Sequence, residues 1–118
     1  MGNVTREFGT QGDSGNTSGQ VYGAAPHARV VSPCGGRTVF AGPFRSFGLL
    51  LIVDCGGGYH IVLAGLERLD TSPGRRLLPG EPVGVLGSGG ERGRANLYLE
   101  LRHRGQAVDP RPWFAARG

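Results

Sequence analysis

The stretch Asn96-Leu97-Tyr98-Leu99-Glu100-Leu101-Arg102 decides the fold, because its polar and apolar residues alternate strictly. A period of two places the three leucines on one face of a β-strand and the four polar residues on the other. Asn96 and Tyr98 therefore stand side by side, at the spacing at which a β-sheet enzyme holds a His-x-His pair. Neither residue is a histidine, so the strand lacks the donors that such a pair supplies.

The other strand signals are short and closely spaced, which predicts an all-β fold. Runs bounded by Gly, Pro, Asn and Asp predict strands at 4–8, 20–23, 29–32, 37–41, 49–54, 59–64, 75–78, 82–86, 96–102 and 106–108. No window carries a convincing helical period, and residues 66–69 would form at most a single helical turn. We therefore expect a compact antiparallel β-sandwich or barrel-like fold.

The length of 118 residues fits one domain with a modest core. Residues 1–18 are polar and predict an irregular lead-in, so we place the folded domain at 19–114 and a tail at 115–118. No apolar run approaches the roughly 20 residues of a membrane-spanning helix, and no signal-peptide pattern opens the chain. A membrane contact or an export signal would therefore belong to regions outside this sequence.

The composition excludes two classes of function. All 13 basic residues are arginines and the formal net charge is +4, but the arginines are scattered and not interleaved with aromatic residues, so we expect no nucleic-acid partner. The turn at 80–84 is similar to that of a lipoyl- or biotin-carrier barrel. Those carriers attach the cofactor to a lysine, and this chain contains none.

Several segments of the chain together resemble one known family. Gly36-Arg37-Thr38-Val39-Phe40 opens the first segment, which runs to position 54, and others follow at 56–60, 63–66, 80–84 and 108–113. In order and spacing they resemble the LytM (lysostaphin-type) zinc metallopeptidase domain, and within it the degenerate, EnvC-like murein hydrolase activators. The resemblance covers about residues 19–114 and implies the LytM fold.

The resemblance also implies where an active site would lie. In active members, zinc is held by the His and Asp of a His-x-Gly-x-Asp segment and by the second His of a His-x-His pair, and two further histidines assist the reaction. Carried onto this chain, the five positions are Thr17, Val21, Gly65, Asn96 and Tyr98. Valine and glycine side chains offer no metal donor. We therefore expect no metal, no cofactor and no peptide hydrolysis.

A groove without its metal can still bind a partner. By resemblance, degenerate members engage a segment of a cell-wall amidase and relieve its autoinhibition, so that septal peptidoglycan is cleaved during cell division. We expect a periplasmic protein whose groove is lined by Arg45, Tyr59, His60, Asn96 and Tyr98. Two alternatives stay open at this point: a peptidoglycan-binding module, and a zinc endopeptidase with unorthodox ligands.

Cys34 and Cys55 are the two cysteines of the chain. If segments 37–41 and 49–54 form a hairpin in which Phe40 faces Leu49, the same register places Cys34 opposite Cys55. A disulfide would suit an exported protein. A slip of one residue would point the two side chains to opposite faces, and two separate thiols then remain the alternative.

Overall fold

The computed structural model describes residues 3–6, 11–12, 15–16, 19–45, 48–88 and 95–117. The elements in chain order are β1 (Asn3–Arg6), β2 (Gln11–Gly12), β3 (Gly15–Asn16), β4 (Gln20–Ala24), β5 (Arg29–Val31), β6 (Gly36–Pro43), β7 (Leu49–Gly56), β8 (Tyr59–Leu69), β9 (Arg76–Leu77), β10 (Pro82–Leu86), β11 (Ala95–His103), β12 (Gln106–Val108) and α1 (Pro110–Arg117). The prediction of an almost wholly β fold is confirmed.

Ten of these strands form one antiparallel sheet. Its main path runs β1-β4-β11-β8-β7-β6-β9, so that β11 lies between β4 and β8. β12 pairs with β11, and β10 pairs with both β5 and the end of β8. β2 and β3 form a separate two-stranded pair. Because β1 pairs with β4, part of the stretch expected to be an irregular lead-in belongs to the sheet.

The apolar core lies on one face of the long strands. Leu97, Leu99 and Leu101 of β11 are 3%, 1% and 0% exposed, as the alternation of that strand requires. They belong to one cluster with Val30 of β5 and Val83 of β10. Since β5 and β10 branch from the end of β8, the sheet curls over its own core. The opposite, outward face of the long strands carries the candidate site.

The end of β8 and the C-terminal helix differ from the sequence prediction. Residues 66–69, expected to form at most one helical turn, continue strand β8 to Leu69. The helix α1 was not predicted. Its start follows from local chemistry, since an Asp109 carboxylate oxygen accepts the backbone N–H of Arg111 at 3.0 Å and Pro110 occupies the first helical position. No helix within the described ranges is long and apolar enough to cross a membrane.

A disulfide joins Cys34 to Cys55, with their Cα atoms 5.8 Å apart. The register expected for the hairpin is nevertheless wrong, because Phe40 faces Ile52 and not Leu49. β6 continues to Pro43, which makes the hairpin loop shorter than expected, and a bulge shifts the pairing between residues 38 and 40. Cys34 itself lies in the bend before β6, so the disulfide links that bend to β7.

Candidate functional site

Four of the five positions identified by resemblance meet on the outward face of the sheet. Val21 of β4 pairs directly with Tyr98 of β11. Gly65 is a bulged residue of β8 with φ 99°, and a Cβ atom built on it would lie 2.4 Å from the carbonyl oxygen of Asn96. The fifth position, Thr17, lies outside the described residues. The backbones of three strands therefore bring Val21, Gly65, Asn96 and Tyr98 into one patch.

Tyr98 is held in this patch by contacts at its ring and at its hydroxyl. Its ring lies over Gly19, where an added Cβ would come within 2.8 Å of the Tyr98 Cζ atom. Its hydroxyl donates a hydrogen bond of 2.6 Å to Glu100 Oε1. Burial, followed by that hydrogen bond, raises the pKa of Tyr98 above its ordinary value. The contacts with Gly19 and Glu100 hold the ring and the protonated hydroxyl of Tyr98 in a fixed position.

A chain of polar contacts continues from Tyr98 along β11. The second carboxylate oxygen of Glu100 accepts a hydrogen bond from Arg102, whose guanidinium also donates to the carbonyl oxygen of Gly105 in the turn before β12. The carboxylate of Glu100 is mostly buried, with a side-chain exposure of 13%. A partly desolvated carboxylate with two donors holds both neighbours in place. This side of the patch is thus rigid before any partner binds.

An apolar strip lies beside the polar chain and was missed by the sequence analysis. Ala64 faces Tyr98, and Val62 faces Glu100 in the neighbouring strand β8. Ile52 of β7 faces Val62, and Phe40 of β6 faces Ile52. Directly paired residues share a face of the sheet, so these side chains form a continuous floor on the outward face. One signal in the sequence could have predicted this strip. Residues 49–53 are all apolar, so the strand that they form has apolar side chains on both faces, as strands covered on both sides do.

Tyr59 and His60 do not lie on the same surface, which corrects the expected groove. They are consecutive strand residues, so their side chains point to opposite faces. His60 lies on the outward face, with its Nε2 atom 4.0 Å from an Asp54 carboxylate oxygen. Tyr59 points to the core side, where its ring stacks on His103 at a centroid distance of 4.1 Å and lies 6.0 Å from Trp113.

Arg45 is exposed in the loop between β6 and β7. Its guanidinium carbon lies 5.4 Å from the centroid of the Phe44 ring. The loop is at the same end of the sheet as Gly65, because Leu49, which follows it, pairs with Leu66. Arg45 therefore stands beyond one end of the patch, and its part in a groove stays a prediction.

The residues of the patch do not fit a zinc ion. Protein zinc sites use histidine nitrogen, cysteine sulfur and carboxylate oxygen. Val21 and Gly65 supply no donor, while Asn96 and Tyr98 supply an amide and a protonated phenol. Among the residues that the structure describes, no three His, Cys, Asp or Glu side chains come together in a metal-binding group.

The sequence is similar to one protein family and to several of its relatives. The sequence model of peptidase family M23 matches residues 15–110. The chain is 35% identical over 96 residues to the murein hydrolase activator EnvC of Escherichia coli (strain K12), covering 81% of this chain and 23% of that protein. It is 27% identical over 110 residues to outer membrane antigenic lipoprotein B of Haemophilus influenzae, covering 92% and 26% of the two chains.

The solved structure of lysostaphin from Staphylococcus simulans has the same fold. It superposes with a TM-score of 0.85 at 18% identity, covering 98% of this chain and 51% of that one. The chain thus spans about a quarter of the length of the two sequence relatives and half of this structure. The family match extends over more than three quarters of the sequence, from β3 to the start of α1. The chain belongs to peptidase family M23.

Proposed function

We propose that this domain is a non-catalytic regulator, which binds a cell-wall amidase and activates it for septal peptidoglycan cleavage in cell division. The similarity to a murein hydrolase activator supports the regulatory role. The partner enzyme and the link to division rest on the family resemblance of the sequence. Loss of catalysis is supported by the donor chemistry of the patch, where four former site positions carry Val21, Gly65, Asn96 and Tyr98.

One observation carries the proposal: the patch that lacks zinc donors is continuous with a half-buried apolar floor. Val62, Ile52 and Phe40 are each partly buried and face outward beside Tyr98. A well-fixed tyrosine next to half-buried apolar area is the composition of an interface hot spot. Because the hydrogen bond to Glu100 already fixes the Tyr98 hydroxyl, the Tyr98 side chain loses little conformational entropy when a partner binds.

We place the protein outside the cytoplasm, in the periplasm. The Cys34–Cys55 disulfide supports this location, because disulfides persist in oxidising compartments and are rare in the cytosol. The similarity to an outer membrane lipoprotein supports it as well.

Release of dye from labelled peptidoglycan by purified candidate amidases, with and without this domain, tests the proposal. Tyr98→Ala should raise the domain concentration for half-maximal activation about 30-fold, equal to the roughly 2 kcal/mol of a central anchor. Arg111→Ala is the control, since Arg111 lies on α1, away from the patch, with a side chain that is 54% exposed, and should activate like the parent. Thermal melts would verify that both variants fold.

Two results would overturn the proposal. If Tyr98→Ala is folded and activates as well as the parent, the patch is not the partner surface. If no candidate amidase responds to the parent domain while the domain itself releases dye, the protein is a hydrolase.

A further inference from the structure

A row of ionisable side chains crosses the outward face of the sheet at the end away from Gly65. Cross-strand pairing connects its members one after another, from β9 through β6, β7 and β8 to β11. We call this set the basic row; in order across the sheet it consists of Arg76, Arg37, Asp54, His60 and Arg102. Neighbouring strands are about 4.8 Å apart, so the row is roughly 19 Å long.

The charges of the basic row are unbalanced at its β6–β9 end. Arg102 is paired with Glu100, and the Asp54 carboxylate accepts the backbone N–H of Gly56 and lies 4.0 Å from His60. Arg37 and Arg76 face each other directly, and both are exposed. Neither forms an ion pair with any residue in the described ranges. Like charges placed directly opposite each other in a sheet are destabilising, so this arrangement favours an anion between them.

The same two arginines border an open cavity of about 570 Å³. Its lining also includes Gly35, Gly36, Asp54 and the exposed Leu78. A guanidinium binds a carboxylate or a phosphate with two parallel hydrogen bonds. The cavity therefore has the size and the donors to take an anionic group together with some apolar surface of the same ligand.

We propose that the basic row binds the carboxylates of a linear polymer, and that this polymer is peptidoglycan, whose peptides carry free carboxylates. The choice of polymer rests on the proposed function. His60 is the one aromatic ring of the row, and no Phe, Tyr or Trp in it offers successive nucleobases a stacking platform, which disfavours a nucleic acid. Along β11, Arg102 is four residues from Tyr98, a distance of about 13 Å. An amidase on the patch and a polymer on the basic row can therefore be bound at once, which holds the enzyme next to its substrate.

Cosedimentation with purified peptidoglycan sacculi at low ionic strength tests the basic row. Arg37→Gln combined with Arg76→Gln should weaken binding at least about tenfold and reduce its salt dependence. The control is Arg68→Gln combined with Arg111→Gln, which removes the same net charge. These two exposed arginines are already paired with Asp70 and Asp109, so this variant should bind sacculi within about twofold of the parent. Circular dichroism would confirm that both double variants fold.

Chemically modified sacculi and soluble polyanions identify the ligand group. Sacculi whose carboxylates have been converted to amides should not sediment the parent, and poly-L-glutamate should displace it from unmodified sacculi. Binding that survives amidation, or displacement by polyphosphate but not by poly-L-glutamate, would overturn the carboxylate assignment. Equal binding by the Arg37/Arg76 variant and the parent would overturn the site itself.

Failure of the basic row and failure of the proposed function would give different results. The Arg37/Arg76 variant should still activate an amidase on short soluble peptidoglycan fragments, where polymer tethering has no effect. Tyr98→Ala should still bind sacculi. A domain that binds sacculi through Arg37 and Arg76 but activates no amidase would refute only the proposed function.

Discussion

Tyr98 combines three contacts that fix one side chain: the backbone of Gly19 beneath its ring, Glu100 at its hydroxyl and Val21 in the adjacent strand. The position is occupied by a histidine ligand in active members of the family, according to the resemblance. The backbone that would present a ligand is retained, while the side chain serves packing and hydrogen bonding. A residue of this kind can anchor a partner without any change in the fold.

The raised pKa of Tyr98 predicts a specific stability loss at alkaline pH. Above the ordinary tyrosine value of about 10, the unfolded chain loses the phenol proton while the folded chain keeps it, so rising pH favours unfolding. Below that pH neither state is ionised, and the contribution is constant. The free energy of unfolding should therefore fall more steeply for the parent than for Tyr98→Phe once the pH exceeds about 10.

Urea unfolding of both proteins from about pH 8 upward measures this difference. Tyr98→Phe removes only the phenol hydroxyl, so contributions from all other groups, which the two proteins share, cancel in the comparison. Parallel curves for the parent and Tyr98→Phe would show that the phenol ionises equally easily in the folded and unfolded states.

At the scale of single residues, strict alternation of polar and apolar residues correctly predicted which face of the sheet a side chain occupies. Where the alternation was not strict, the prediction was poor. Leu97, Leu99 and Leu101 are buried as expected, because alternate residues of a half-buried strand all point to the core. The grouping of Tyr59 with His60 failed, because it treated two neighbouring polar residues as one surface. The period of two that placed the leucines also separates these two side chains.

At the scale of elements, strand existence was predictable but strand register was not. The hairpin of β6 and β7 was expected to pair Phe40 with Leu49, whereas the structure pairs Phe40 with Ile52. A bulge and a short loop set that register, and neither has a reliable signal in the sequence. Helix α1 had a readable signal in the sequence Asp109-Pro110, an N-cap followed by proline, which the lack of a helical period outweighed.

The disulfide between Cys34 and Cys55 should stabilise the domain by about 3 kcal/mol, the loop-closure value for cysteines 21 positions apart. Reductant should therefore lower the thermal midpoint of the parent. The double variant Cys34→Ala/Cys55→Ala should melt at the lower temperature whether or not reductant is present. Thiol titration under non-reducing, denaturing conditions gives an independent check: two free thiols per chain would contradict the bond.

At the scale of the whole molecule, the fold class was predictable because several independent features of the sequence indicate the same fold. Short strand runs, frequent glycine turns and the family motifs all indicate one antiparallel β domain, and its radius of gyration is 13.5 Å, as expected for a compact chain of this length. The apolar floor and the basic row were not predictable. Each is assembled from single residues of several strands, and only the register brings those residues together.

Metal content tests the loss of catalysis in the intact domain. The domain should contain no stoichiometric zinc after purification, because Val21, Gly65, Asn96 and Tyr98 do not provide the three protein ligands of a catalytic zinc site. Added zinc should not produce cleavage of cross-linked peptidoglycan. A sample treated with chelator and then dialysed should activate an amidase as well as untreated domain does, since activation would depend on the protein surface alone. Stoichiometric bound zinc together with chelator-sensitive cleavage would instead show that ligands outside the patch have replaced the usual set, and that the domain is a working metallopeptidase.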